Sequence, residues 1–125
     1  MEMENYKATI IETSREFTPK ERVSIKTLAG TTPLDDPNLD GMTIEPIDWA
    51  VISIHNEKSD NKDYNKYLII CNDGNKYITG SVPFWKSFRE IWDEMVNVEE
   101  TWGVVVRRRE SKNYKGKEFI TCEII

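Results

Sequence analysis

One histidine and two cysteines in 125 residues leave little material for catalysis or metal binding. Cys71 and Cys122 have no CxxC spacing, and His55 lies far from both in sequence. Each cysteine sits inside an apolar strand pattern, so both are expected as buried free thiols in a reducing compartment. His55 reads as a polar surface residue. No glycine-rich phosphate loop, HExxH or framed carboxylate pair is present. An enzyme is therefore not expected, nor a metal or a small-molecule cofactor. No apolar run approaches the ~20 residues that a membrane span needs, and no signal peptide precedes the core. The expected setting is the cytoplasm, with no membrane partner. Repeats and low-complexity segments are also missing.

What is present is one domain's worth of chain, long enough to bury roughly two-thirds of its unfolded surface. The protein is acidic, with 22 Asp+Glu against 17 Lys+Arg and a net charge of −5. The charge is unevenly spread. Residues 1–63 carry 13 acids and 7 bases, whereas residues 101–117 carry one acid, Glu110, and six bases. Fields act within a Debye length of about 8–10 Å, so a positive hairpin can work on a negative body.

Along the chain, residues 1–20 read as a mobile or partly ordered arm, with "KATII" as a short strand. "RVSIKTLAG" alternates Val23, Ile25 and Thr27 and predicts an additional N-terminal strand. "TTPLDDPNLDG" predicts a loop, because Pro and Asp break ladders and favour turns. Met42–Lys58 predicts a long strand, with Ala50, Ile52 and Ile54 on one face and Trp49, Val51, Ser53 and His55 on the other. Pro46 marks a bend or an edge near its start. "KYLIICNDGNKYITGS" predicts a hairpin turning at Asp73-Gly74. The period then changes. Phe84, Phe88, Ile91, Trp92, Met95 and Val96 line one face of a helix that Pro83 can open. "TWGVVVRRRE" and "EFITCEII" close the chain as two strands, with Val104 and Val106 of the first, and Ile120, Cys122 and Ile124 of the second, pointing inward. A long strand, a hairpin, one helix and a closing hairpin form the order of an OB-fold. The expected architecture is mainly β: a five-stranded OB-fold barrel over residues 21–125, with one α-helix between strands three and four and the extra N-terminal strand.

On that frame a ligand crosses strands two and three, flanked by the loops between strands one and two and strands four and five. Tyr64, Lys66, Tyr67, Lys76 and Tyr77 then fall on one surface, with Tyr67, Ile69, Cys71 and Thr79 expected to face outward. Arg107, Arg109, Lys112, Tyr114, Lys115 and Lys117 form its other wall. Tyrosines stack on any base, at about 1–3 kcal/mol each, while Lys and Arg hold phosphates without reading sequence. That chemistry points to single-stranded DNA as partner. Structural readings stand beside it: Tyr67 and Tyr77 as neighbours covering a sheet face, Arg107–Arg109 as edge protection, and "NYKGK" as a soluble turn.

From "TIEPIDWAVIS" through "YLIICNDGNKYITGS" to "SKNYKGKEFITCEII", the chain resembles the small single-stranded DNA-binding proteins of phi-29-like bacteriophages. The likeness covers about residues 22–125 and rests on element order, length, the "DG" hairpin and the ending. It implies an OB-fold that coats and protects single strands during phage DNA replication in an infected bacterium, with phage replication proteins as further partners. Tyr67, Tyr77 and Tyr114 match the family's contact types. The chain has no glycine-rich linker with an acidic tip, which leaves its acidic N-terminal arm as the candidate for recruiting partners. The competing class is an OB-fold protein-interaction module, such as a phage inhibitor whose Asp35, Asp36, Asp40, Asp60 and Asp63 mimic DNA charge.

Overall fold

Thr18 opens a helix where alternation predicts a strand. In the computed structural model, which describes residues 6–113 and 116–125, the Thr18 hydroxyl accepts the Glu21 N–H. The Glu21 carboxylate accepts the Thr18 N–H at 2.9 Å, closing a capping box with Pro19 in the first turn. Helix α1 (Pro19–Thr27) follows and ends at Leu28, whose backbone is left-handed at φ 57°. The expected strand over "RVSIKTLAG" is thus corrected to a helix. Val23 and Ile25 would share one face of a strand; on the helix Ile25 is buried and Val23 is 63% exposed.

Arg15 braces this helix start. Its guanidinium meets both Glu21 carboxylate oxygens, at 2.7 and 3.3 Å, and Asp48 Oδ2 at 3.0 Å. The Arg15 contact, then the Thr18 N–H, holds the Glu21 carboxyl down to about 2. A lowered carboxyl contributes stability above its unfolded value, which is lost as pH falls through the folded one. Glu21→Gln is therefore expected to flatten the acid side of the stability curve between about pH 4.5 and pH 2. Urea unfolding across that range measures it.

The chain divides into two compact units: one comprises residues up to Thr32 with Ile47–Gly80, the other Pro33–Pro46 with Ser81–Ile125. The described residues are mainly β, with eight strands in two sheets. The larger sheet contains β1 (Tyr6–Thr13), β2 (Thr31–Pro33), β4 (Pro46–Asn56), β5 (Asp63–Cys71) and β6 (Lys76–Thr79), in the order β1-β4-β5-β6-β2. The "KATII" strand is present and longer than expected, paired antiparallel to β4 with a register shift between Ile10 and Glu12. Ala50, Ile52 and Ile54 share a core with Leu68, Ile78, Phe17 and Ile25, the parity that the alternation of β4 predicts. At the β5–β6 turn Gly74 takes φ 87° and donates its N–H to the Cys71 carbonyl at 3.0 Å.

The second sheet is β3 (Thr43–Ile44), β7 (Val104–Glu110) and β8 (Glu118–Ile124), in the order β3-β7-β8. The long strand expected over Met42–Lys58 is thus interrupted at Glu45, ahead of Pro46. The expected loop before it contains β2 and a short 3₁₀ turn, Pro37–Leu39, which Asp36 caps. Helix α2 (Val82–Met95) packs on β8. The Ser81 hydroxyl accepts the Phe84 N–H and donates to the Ile120 carbonyl, tying the helix start to the strand. Phe84, Phe88 and Trp92 are buried, as the helical period predicts. Ahead of β7, a Cβ on Gly103 would stand 2.7 Å from the Ile44 carbonyl oxygen, so only glycine allows this approach of the two strands.

The five strands of the expected barrel are present in order, with α2 between the third and fourth. The described strands nonetheless lie in two sheets, and no closed barrel is found among them. Both cysteines are free and buried, and burial pushes the Cys122 thiol up to about 12. No helix among the described residues is long and apolar enough to cross a membrane.

Candidate functional site

The β7–β8 register decides which side chains can act together. Val104, Val106 and Arg108 pair with Ile124, Cys122 and Ile120, whereas Val105, Arg107 and Arg109 pair with Glu123, Thr121 and Phe119. Directly paired residues share a sheet face. One face is therefore apolar apart from Arg108, and the other carries Arg107, Arg109, Phe119, Thr121 and Glu123 beside the buried Val105. Arg108 serves the fold: its guanidinium donates to the Asp35 carbonyl at 2.8 Å, and its N–H donates to Asp40 Oδ1 at 2.9 Å.

Toward the turn the polar face is concave. Arg109, Glu110, Ser111, Lys112, Asn113, Phe119 and Thr121 line a depression of about 530 Å³. Phe119 is half-buried, while Arg109 and Lys112 are exposed. An aromatic ring, two cations, one carboxylate, two hydroxyls and an amide thus line one open surface. Glu123 sits at its far edge and accepts from Arg109 Nη2 at 2.5 Å, with Arg107 Nε at 3.6 Å. The three side chains are about half exposed, so this ion-paired cluster is weak and exchangeable. Residues 104–124 carry six bases and three acids, so the hairpin stays positive after internal pairing.

The expected site residues fall into one set in each unit. In the second, Arg107, Arg109 and Lys112 lie on this face, and Lys117 is exposed beyond the turn. Tyr114 and Lys115 lie outside the described residues. In the first unit the expected single surface is divided. Lys76 pairs with Ile70 and Ile78 with Leu68, so Lys76, Tyr64 and Lys66 share the face that carries the α1 core. The Lys66 ammonium rests 5.9 Å from the Tyr64 ring. Tyr77 pairs with Ile69, and Thr79 with Tyr67, on the opposite face.

Tyr67 is 7% exposed, and Ile69, Cys71 and Thr79 are buried with it, which corrects their expected outward position. The alternation argument assumes that one face of the strand is open. Strand β5 is the central strand of five, and from Tyr67 to Ile69 it is buried on both faces. Tyr77 is half-buried, and that burial raises its phenol. Phe119, Thr121, Ser111, Asn113 and Glu123 were not singled out from the sequence. Parity could have found the first two, because inward Ile120 and Cys122 leave Phe119 and Thr121 facing the arginines.

His55 bridges Asp63 Oδ1 and Glu57 Oε1 at 2.7 Å each. The bond to Asp63, then that to Glu57, raises the ring's pKa. No group of three His, Cys, Asp or Glu side chains able to hold a metal occurs among the described residues. Comparison of the chain with protein-family models, curated proteins and solved structures finds no match.

Proposed function

We propose that this is a non-enzymatic single-stranded DNA-binding protein that contacts DNA through the polar face of β7–β8. The observation that carries this reading is Phe119, the cross-strand partner of Arg109, in an open depression that Lys112, Ser111, Asn113 and Thr121 also line. A ring accepts a base of any sequence, and the cations accept phosphates. Strand order supports the same reading. The interrupted long strand sends Thr43–Ile44 to β7 and Pro46–Asn56 to β5, as the first strand of an OB-fold does when shared between two sheets. Coating of single strands during phage DNA replication, in the cytoplasm of an infected bacterium, is the role proposed for such a surface. The DNA-mimic alternative has less to draw on, because Asp36 caps the 3₁₀ turn and Asp40 accepts the Arg108 N–H.

Titration of tryptophan and tyrosine fluorescence with oligo-dT and unrelated oligonucleotides, at several salt concentrations, tests the proposal. Three or four phosphate contacts give a slope of log K against log salt of roughly −2 to −3, similar for all sequences. Phe119→Ala is expected to weaken binding by about 1–3 kcal/mol at every salt concentration while leaving the slope unchanged, since stacking releases no counterions. Absence of oligonucleotide binding at low salt overturns the reading in favour of a protein-interaction module.

A further inference from the structure

We propose that the first unit holds a second, separate binding site, for a small amphipathic oxyanion: a phosphate monoester or carboxylate on a compact apolar body. The site is a cavity of about 320 Å³ with apolar lining from Phe17, Ile25, Ile47 and Ile70; Lys20, Ser24 and Lys76 also line it, beside the paired Arg15, Glu21 and Asp48. That volume lies within the ~300–1,000 Å³ range of small-molecule sites.

The apolar floor is left open where the fold would ordinarily close it. Strand β5 is the middle strand of its sheet, and Leu68 and Ile69 on it are fully buried, yet Ile70 remains only partly covered. Ile47, at the rim, is 50% exposed. Helix α1 is nine residues long and contributes one buried side chain, Ile25. Apolar surface is thus presented inside a concavity, where an apolar ligand body gains by leaving water.

The acids and bases of the polar lining differ in their pairing, and that difference selects the charge of the ligand. Two carboxylates line the cavity, and both are engaged from within. Glu21 accepts from Arg15 and the Thr18 N–H, and Asp48 accepts from Arg15 and the Ser14 hydroxyl at 2.9 Å. Lys20 and Lys76, from different elements, line the same cavity. The Lys76 ammonium donates to the Ser24 hydroxyl at 3.4 Å, and neither lysine meets a carboxylate among the described residues. A ligand cation meets carboxylates already engaged by Arg15, whereas an oxyanion meets two ammonium groups without a carboxylate partner and a hydroxyl. The site therefore favours an anion over a zwitterion or an amine.

Phenyl phosphate is the probe, with phenol as the body alone and inorganic phosphate as the head alone. Each is titrated into the isotope-labelled full chain and followed by amide NMR shifts. Saturable shifts are expected at Ser24, Ile25, Ile70 and Lys76, with phenyl phosphate binding at least about tenfold more tightly than either fragment. Joint replacement Lys20→Gln and Lys76→Gln, at partly or fully exposed positions, is expected to weaken phenyl phosphate at least about tenfold with an unchanged melting curve. The proposal is overturned by the absence of a saturable shift, by phenol binding as tightly as phenyl phosphate, or by full binding of the double variant. Displacement of phenyl phosphate by oligo-dT also overturns it, by assigning the cavity to the nucleic-acid surface. Failure of oligo-dT to bind anywhere leaves this site standing and removes only the function proposed for β7–β8.

Discussion

Joint replacement of Arg107 and Arg109 by Gln is expected to flatten the salt dependence of oligo-dT binding by about one unit of slope. Each phosphate neutralised on a single strand contributes about −0.7 to the slope, so two fully free arginines would contribute about −1.4. They are not fully free, because Glu123 already supplies both with one shared carboxylate. At 0.1 M salt each lost phosphate contact weakens binding about fivefold, alike for all sequences, since phosphates carry no sequence information. Glu123→Gln is the matching gain. It removes the carboxylate that competes with phosphate and is expected to tighten binding and steepen the slope by up to about 0.7. Opposite movements of the two variants tie the arginines to the strand. Normal binding with unchanged slope in both would make Arg107 and Arg109 edge guards of the hairpin instead.

The second large effect is on folding. Phe88→Ala is expected to destabilise the protein by about 3–5 kcal/mol, the range for a fully buried aromatic truncated to alanine. Phe88 has no exposed surface, and its ring lies 6.0 Å from Phe84, 5.6 Å from Trp85 and 6.1 Å from Trp92. Trp92 in turn meets Trp102 edge-on at 6.0 Å. Truncation leaves a void inside this aromatic row, which α2 cannot close without losing its seat on β8. Native domains are stable by only about 5–15 kcal/mol, so much of that margin goes. Urea midpoints followed by tryptophan fluorescence measure the loss. A change under about 1 kcal/mol would mean that α2 is held mainly by contacts other than this ring.

Helix α2 was legible because six apolar residues repeat with the helical period over thirteen positions, Phe84 to Val96, with a proline just ahead. The β5–β6 and β7–β8 hairpins were legible from turn chemistry and alternation, and the register of β7–β8 follows the parity of its inward residues. Helix α1 was legible too, but in a signal that alternation overshadowed: Thr18 and Glu21 form a capping box, and Pro19 suits a first helical turn better than a strand approach. Three alternating positions in a nine-residue window are weak support for a strand when a helix cap stands directly ahead.

By itself the sequence determined the mainly β character, the order of the closing elements, the aromatic face of α2, and the concentration of positive charge at the last hairpin. These depend on residues close along the chain, through period, turn geometry and local charge. Only tertiary structure decided that Tyr67 is buried, that Lys66 and Lys76 lie across the sheet from Tyr67 and Tyr77, and that Glu123 spans Arg107 and Arg109. It also decided that Phe119 lines an open depression. Each of these turns on what covers a strand's second face or what stands opposite on a neighbouring strand. Alternation assigns a side chain to a face, but burial depends on what the rest of the chain places over that face.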